Sequence, residues 1–223
     1  METSTEFSFE KSLKEDAKYP VLNYFRVERY FTRPLASLLV RMVFKTNVTP
    51  NQLTVVSFFI GLAASLVYLK GEPVYFVWGG ILAQLSSIVD CSDGMLARSK
   101  GLTSKYGAFL DLFLDRITDF FLFTCISVGQ YFYSGDLKLL IACLVGIGLY
   151  FLQVTLYYLT RNYLGITKTG EAAEPRGLLI FLILVFSVAN QLDILMIITI
   201  ISTVINNIIK VINLIRLGRV ADG

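Results

Sequence analysis

The stretch DCSDGMLARSKGLTSKYGAFLDLFLD, residues 90–115, places four aspartates in an otherwise apolar part of the chain. These are Asp90, Asp93, Asp111 and Asp115. An ionised carboxylate near the core of a bilayer is costly, so such groups usually mark a functional site in membrane proteins. The four aspartates are therefore the first candidates for the function of this chain.

The composition around this stretch is typical of a membrane protein. Of the 223 residues, 55% are apolar, more than in most soluble domains. A helix that crosses a bilayer needs about 20 predominantly apolar residues. We expect an all-α polytopic membrane protein with six transmembrane helices, the fifth of them short. The predicted spans are 53–69, 74–92, 107–133, 137–159, 178–190 and 193–212.

The basic residues predict the orientation of these spans. With a cytoplasmic N-terminus, only Lys70 and Lys138 lie on the outer side, and every other Lys and Arg lies in an inner loop, at an inner span end or in a terminal segment. The positive-inside rule then predicts a multi-pass protein of the cell or inner membrane with both termini cytoplasmic. Because topology explains the basic residues, no nucleic-acid partner is expected.

The ends of the chain are more polar than its centre. Residues 1–19 form a predicted polar tail, and 216–223 a C-terminal tail. Residues 20–48 include RPLASLLVRMVFK, whose apolar residues repeat at helical spacing. This pattern predicts an amphipathic helix, lying on the inner membrane surface or packed against the spans. Residues 49–215 form the predicted six-helix catalytic domain.

Histidine and cysteine usage narrows the chemistry. The chain has no histidine, which excludes histidine general bases and most zinc sites. Cys91, Cys125 and Cys143 fall in predicted spans without paired spacing, so we expect buried thiols rather than disulfides or metal ligands.

Helical spacing predicts that the four aspartates lie in one cleft. Asp90 and Asp93 are three residues apart, and Asp111 and Asp115 are four apart, so each pair lies on one helix face. The loop between the pairs reverses the chain, and two neighbouring helices then present their carboxylates to a cleft open to the cytosol. Four carboxylates cannot all stay ionised so close together without cations. Divalent ions with oxygen ligands, Mg²⁺ or Mn²⁺, fit this need, and two of them can clamp a phosphoryl transfer.

Small residues beside the carboxylates leave room for a phosphate. Gly94 and Ala97 follow the first acidic pair at helical spacing, and Gly107 precedes the second. A nucleotide can approach the helix backbone there, and Arg98 can neutralise phosphate oxygens with two hydrogen bonds.

Together these residues resemble the CDP-alcohol phosphotransferase family. Members of that family share D-x2-D-G-x2-A-R-x8-G-x3-D-x3-D, and this chain departs from it at no fixed position. TPNQLT, residues 49–54, is also similar to the start of that family's first span. The matching positions are Asp90, Asp93, Gly94, Ala97, Arg98, Gly107, Asp111 and Asp115.

The resemblance implies an enzyme in which an alcohol attacks the diphosphate of a CDP-linked donor, such as CDP-diacylglycerol or CDP-inositol, and releases CMP. It implies that Asp90, Asp93 and Asp111 hold the metal ions. Asp115 would be a shared ligand or the general base, so Asp111 and Asp115 are the implied catalytic residues. It also implies a homodimer, membrane lipids as partners, and a cytoplasmic cleft. The implied donor contacts are Asn51, Asp93, Gly94, Ala97, Arg98 and Gly107.

The run YGAFLDLFLDRITD, residues 106–119, is most similar to the branch of that family that uses inositol phosphate. A phosphorylated acceptor would need cations on the inner side. Ordinary positive-inside charge explains those cations equally well, and Asp119 can instead pair with Arg116. The acceptor-binding candidates are Lys105, Asp119, Arg161, Lys168 and Arg176.

Two other classes of protein also combine carboxylates with a membrane. Ubiquinone-type prenyltransferases use aspartate-rich motifs, Mg²⁺ and a diphosphate, but they are longer and place their two motifs far apart. A divalent-cation transporter would use intramembrane carboxylates as an ion path. It would not require Gly94, Ala97 and Arg98 at these spacings, and it would conduct ions without releasing CMP.

Overall fold

The structure, a computed structural model, describes residues 28–163 and 176–221, and every regular element within these ranges is helical. The predicted all-α class is therefore confirmed. A π-helical turn, Glu28–Thr32, leads into the first α-helix. The α-helices are α1 (Arg33–Val43), α2 (Pro50–Tyr68), α3 (Pro73–Lys100), α4 (Lys105–Ser134), α5 (Leu137–Tyr163), α6 (Arg176–Val188) and α7 (Leu192–Ala221).

Four of these helices are long and apolar enough to cross a membrane: α2, α3, α5 over Leu137–Leu156, and α7 over Leu192–Ile212. Helix α6 is apolar but has only 13 residues. Helix α4 has 30 residues, and its first half carries charged side chains. Each of the six predicted spans thus corresponds to one of the helices α2–α7, four of which have the length and composition of a span.

Helix α3 is longer than the predicted span 74–92, because the chain stays helical beyond the apolar stretch until Gly101. At Gly101 the backbone turns into the left-handed region, with φ of +66°, which a residue without a side chain adopts most easily. Ser104 then caps α4, its Oγ accepting a hydrogen bond from the Gly107 amide at 2.9 Å. A short turn therefore joins the two helices that carry the aspartates.

The start of α2 is fixed by a capping box. The Thr49 hydroxyl accepts a hydrogen bond from the Gln52 amide, and the Gln52 side chain accepts one from the Thr49 amide at 2.9 Å. Lys100, the last residue of α3, donates to the backbone oxygens of Thr46 and Val48 at 2.8 and 2.9 Å. The segment between α1 and α2 is thereby tied to the end of α3.

Close contacts hold α2, α3, α4 and α6 together. Gly129 of α4 lies against the backbone carbonyl of Tyr68 in α2, where a Cβ atom would collide. The Tyr68 ring stacks on Phe76 of α3, and its hydroxyl is 2.9 Å from Ser187 Oγ of α6. Small residues allow helices in membranes to approach closely, and here they set the distance between α2 and α4.

Helix α1 packs on the protein with one face and leaves another open. Ala36 and Val40 are fully buried in a cluster that includes Leu96 of α3. Leu38 and Met42 are exposed, at 58% and 71%. Packing against the spans, one of the two alternatives for this helix, therefore occurs, while an outward apolar face remains available for a membrane surface.

Several predictions fall at or beyond the ends of the described ranges. The polar tail 1–19 and the first part of 20–48 lie outside them. Helix α7 continues to Ala221, into the predicted tail 216–223. Cys125 and Cys143 are buried, as predicted, and Cys91 is partly buried; no disulfide joins these cysteines in the described part of the chain.

Candidate active site

Three of the four aspartates come together between α3 and α4. Carboxylate oxygens of Asp90, Asp93 and Asp111 lie within 4.8 Å of one another. Asp90 and Asp93 lie one turn apart near the end of α3, and Asp111 lies two turns into α4. We call these three residues the acidic trio.

The acidic trio has the ligand chemistry of a hard divalent cation. Its potential ligands are all carboxylates, which suit Mg²⁺ and Mn²⁺, whereas softer metals prefer nitrogen or sulfur ligands. Three carboxylates held this close also repel one another, which a bound cation would relieve. The residues present therefore fit a divalent cation.

Asp115, the fourth aspartate, is paired with an arginine. Its Oδ1 accepts a hydrogen bond from Arg176 Nη1 at 2.7 Å. The same nitrogen lies 3.1 Å from Asp90 Oδ2, and Arg176 Nε lies 2.9 Å from Asp119 Oδ1. Arg176, expected on an inner loop, is instead the first residue of α6, and its guanidinium extends into the cleft among three carboxylates.

Asp119 is the buried hub of a second group of hydrogen bonds. It is only 1% exposed, and its Oδ2 accepts a hydrogen bond from the Tyr150 hydroxyl at 3.0 Å. Arg116 Nη1 donates to that hydroxyl at 2.8 Å and lies 3.4 Å from Asp119 Oδ2. The pairing of Asp119 with Arg116, one of the two sequence interpretations, is therefore present, and Asp119 also contacts Arg176.

Two residues of the site were missed by the sequence analysis. Tyr150 lies in the middle of α5, an apolar helix with nothing to distinguish this tyrosine from its other aromatic residues. Thr54 is buried in α2, and its hydroxyl donates a hydrogen bond to Asp93 Oδ2. The signal for Thr54 was its position in TPNQLT, one turn after Pro50, where no cap requires a hydroxyl.

The residues predicted on the donor side line the ends of α2, α3 and α4. A Cβ atom on Gly107 would lie 3.1 Å from Asn51 Oδ1, so α2 and α4 approach each other there. A Cβ atom on Gly94 would lie 3.3 Å from Arg98 Nη1, so the Arg98 side chain folds back along α3. Ala97 is partly exposed on α3.

The other acceptor candidates are less closely placed. Lys105 is exposed at the first residue of α4. The side chain of Arg161 and the whole of Lys168 lie outside the described part of the chain. Among the described acceptor candidates, Arg176 and Asp119 therefore join the acidic cleft directly.

A cavity of about 380 Å³ lies next to this cleft, between α4, α5, α6 and α7. Most of its lining is apolar, but Arg176, Tyr150, Gln153 and Asn206 are among the lining residues. Arg176 therefore borders both the acidic cleft and the cavity.

Fold and site together define a helical membrane protein with a carboxylate cluster suited to divalent cations. The chain belongs to the CDP-alcohol phosphatidyltransferase family, whose model matches residues 47–205. This membership confirms the predicted family and favours a phosphotransferase over the prenyltransferase and transporter alternatives.

Two curated relatives illustrate the similarity. The phosphatidylinositol phosphate synthase of Corynebacterium glutamicum is 36% identical over 153 residues, which cover 67% of this chain and 66% of that protein. The bifunctional IPC transferase and DIPP synthase of Thermococcus kodakarensis is 42% identical over 93 residues, covering 42% of this chain but only 20% of that protein. The chain thus spans less than two thirds of the length of either relative.

Solved structures share the fold. The crystal structure of Mycobacterium tuberculosis phosphatidylinositol phosphate synthase with CDP-DAG bound superposes with a TM-score of 0.61 at 21% identity, covering 81% of this chain and 92% of the other. The same protein in complex with manganese and citrate gives a TM-score of 0.62 at 21% identity, covering 81% and 87%.

Proposed function

We propose that this chain is an integral-membrane CDP-alcohol phosphotransferase. It transfers a substituted phosphate from a CDP-linked donor to an alcohol and releases CMP, as a step in the synthesis of phospholipids or polar phosphodiesters. The observation that carries this proposal is the convergence of Asp90, Asp93 and Asp111, three aspartates of the family pattern, at the α3–α4 hairpin.

The acidic trio would hold Mg²⁺ or Mn²⁺, in our proposal two ions. A bound divalent cation would neutralise the diphosphate of the donor and stabilise CMP as the leaving group. The manganese complex of the mycobacterial protein supports this choice of ion. The protein's own contribution is to fix three carboxylates on two rigid helices, so that the charge of the trio is in place before the donor arrives.

Asp115 would act beside the trio, as a shared metal ligand or as the general base. A carboxylate within hydrogen-bond reach of the acceptor hydroxyl can accept its proton as the oxygen attacks phosphorus. The ion pair with Arg176 fixes the orientation of the Asp115 carboxylate in the cleft.

The donor nucleotide would lie along the ends of α2, α3 and α4. Gly94 and Ala97 are small residues that leave room for a diphosphate beside α3, and Arg98 supplies a positive charge for its phosphate oxygens. Asn51 and Gly107, which meet between α2 and α4, would contact the nucleotide. A donor with lipid tails, such as CDP-diacylglycerol, could then enter from the membrane while its head group reaches the cleft.

The acceptor would be an alcohol that already carries a phosphate, of the inositol phosphate type. The name of the Corynebacterium relative points to this class. Arg176 faces the cleft and the cavity, and Asp119 orients its guanidinium through Nε. Lys105, Arg161 and Lys168 would add positive charge at the cytoplasmic side.

The membrane arrangement is also proposed. All of α2–α7 would cross the membrane, with the site and both termini cytoplasmic. Helix α1 would lie at the inner surface, with the exposed side chains of Leu38 and Met42 towards lipid. The protein would be a homodimer, as the family resemblance implies.

Purified protein in liposomes tests the reaction. CDP-diacylglycerol, CDP-inositol and other CDP-linked donors are offered against a panel of alcohols, and CMP is measured. We expect turnover that depends on Mg²⁺ or Mn²⁺ and that is abolished in folded Asp111→Asn and Asp115→Asn variants. Asp193→Asn, which removes a carboxylate of the first turn of α7, should retain turnover.

The outcomes separate reaction class from substrate. Full activity of both site variants would contradict the assigned roles. Release of CMP with glycerol phosphate or serine but not with inositol phosphate would reject the proposed acceptor and leave the reaction class intact. Flux of divalent cations without release of CMP would favour a transporter.

A further inference from the structure

We propose that Thr54 is a positioning residue, whose hydroxyl orients the carboxylate of Asp93 for a divalent cation. The inference rests on the proposed function, because it takes Asp93 as a metal ligand. Thr54 lies in α2 and Asp93 in α3, 39 residues apart in sequence, and both side chains are buried, at 3% and 6% exposure.

The hydrogen bond between these residues is not the one that a helical threonine usually makes. A threonine within a helix commonly donates to the carbonyl four residues earlier. That acceptor, the Pro50 oxygen, is available 3.2 Å from Thr54 Oγ1. A hydroxyl has one proton, and an ionised carboxylate is the stronger acceptor, so the proton goes across the helix interface to Asp93 Oδ2.

The scaffold around Thr54 fixes the position of this hydroxyl. The capping box at Thr49 sets where α2 begins, one turn before Thr54. One turn further on, Ser86 Oγ of α3 donates to the Ser57 carbonyl of α2 at 2.8 Å. The Ser86–Ser57 hydrogen bond therefore fixes the register of α2 and α3 one turn beyond the Thr54–Asp93 contact.

A carboxylate held through one oxygen presents the other in a defined direction. Asp93 belongs to the acidic trio, and restricting its rotation lowers the entropy lost when an ion binds. Hydrogen bonds to metal ligands from residues behind them typically change metal affinity or activity by about 10-fold to 100-fold. We expect an effect of about tenfold for Thr54, because its donor is a neutral hydroxyl.

The binding of Mn²⁺ measures this effect directly. Free Mn²⁺ is followed by electron paramagnetic resonance in titrations of the detergent-purified protein. Thr54→Val, which keeps the shape and removes the hydroxyl, should weaken Mn²⁺ binding about tenfold. Thr54→Ser, which keeps the hydroxyl, should bind Mn²⁺ within about twofold of the unmodified protein. In turnover, the Mn²⁺ concentration for half-maximal rate should rise more than the maximal rate falls.

Ser86→Ala is the matched structural control. It removes another buried hydrogen bond between α2 and α3 without touching a carboxylate, so it should lower thermal stability and leave Mn²⁺ affinity unchanged. Folding is checked by size-exclusion chromatography after heating, and Thr54→Ala replaces Thr54→Val if the valine variant does not fold.

Asp93→Asn separates this inference from the proposed function. If Asp93→Asn loses Mn²⁺ binding while Thr54→Val retains it, Thr54 has no positioning role and the proposed function stands. If Asp93→Asn binds Mn²⁺ normally, the metal site itself is wrong. Equal weakening in Thr54→Val, Thr54→Ser and Ser86→Ala would show a general effect of packing and overturn the inference.

Discussion

Replacing Arg176 with methionine should destabilise the protein, because three carboxylates share its guanidinium. Asp119, at 1% exposure, is the most buried of the three, and Asp90 and Asp115 are about one fifth exposed. Removing one partner of a buried ion pair costs roughly 3–5 kcal/mol. We expect about 3 kcal/mol, the lower end, because Asp119 keeps its contacts with Tyr150 and Arg116.

The measurement is the apparent melting temperature of detergent-purified protein. For a chain of this size, 1 kcal/mol corresponds to roughly 2–4 °C, so Arg176→Met should melt about 6–12 °C lower. Lys138→Met, which removes an exposed lysine near the start of α5, is the control and should shift the midpoint by no more than about 2 °C.

A double-mutant cycle tests whether the lost ion pair with Asp119 causes the destabilisation of Arg176→Met. Asp119→Asn removes the buried charge, so the double variant with Arg176→Met should be destabilised by less than the sum of the two single variants. Additive effects would show that the two residues are not coupled. An unchanged melting temperature for Arg176→Met would refute the reasoning altogether.

Three further changes probe the surroundings. Tyr150→Phe removes a hydroxyl that donates a hydrogen bond to Asp119. We expect the KM for the acceptor in the CMP assay to rise about tenfold while the KM for the donor stays unchanged. Equal changes in the two KM values would contradict a role of Tyr150 on the acceptor side. Gly129→Ala should lower the stability by about 1–3 kcal/mol, because its Cβ atom would clash with α2. Gly148→Ala, whose Cβ atom would meet open space, is the control and should not change the stability. Equal stabilities of the two variants would disprove the close contact. Lys100→Met frees two backbone carbonyls between α1 and α2, so trypsin should cut that segment faster, and an unchanged rate would show that Lys100 does not hold it.

The acidic trio could be predicted from the sequence because its three residues lie close together along the chain. Helical periodicity places Asp90 and Asp93 on one face, and a short turn marked by Gly101 brings Asp111 alongside. The capping box of α2 was equally readable, since the hydrogen bonds of a cap join residues three apart. The lengths of α3 and α7 were underestimated because hydropathy marks the apolar part of a helix, not its hydrogen-bonded ends.

The partners of these residues were not readable because they lie far apart in sequence. Arg176 and Asp90 are 86 residues apart, and Tyr150 and Asp119 are 31 apart. Nothing in the local pattern of α5 or α6 indicates which helix faces which carboxylate. Arg176 was therefore identified only as one of several inner cations, and Thr54 only as part of a helix start.

The same pairing bears on the proposal that α4 crosses the membrane despite its charges. Counted by composition, α4 falls outside the helices apolar enough to cross a bilayer. Three of its charged groups, however, are paired inside the bundle: Asp115 and Asp119 with Arg176, and Arg116 with Asp119. Helix α4 also carries exposed aromatic rings, of which those of Phe109 and Phe113 stack 5.9 Å apart. A count of charges ignores such pairing, and the buried ion pairs that orient the site would also lower the cost of placing α4 in lipid.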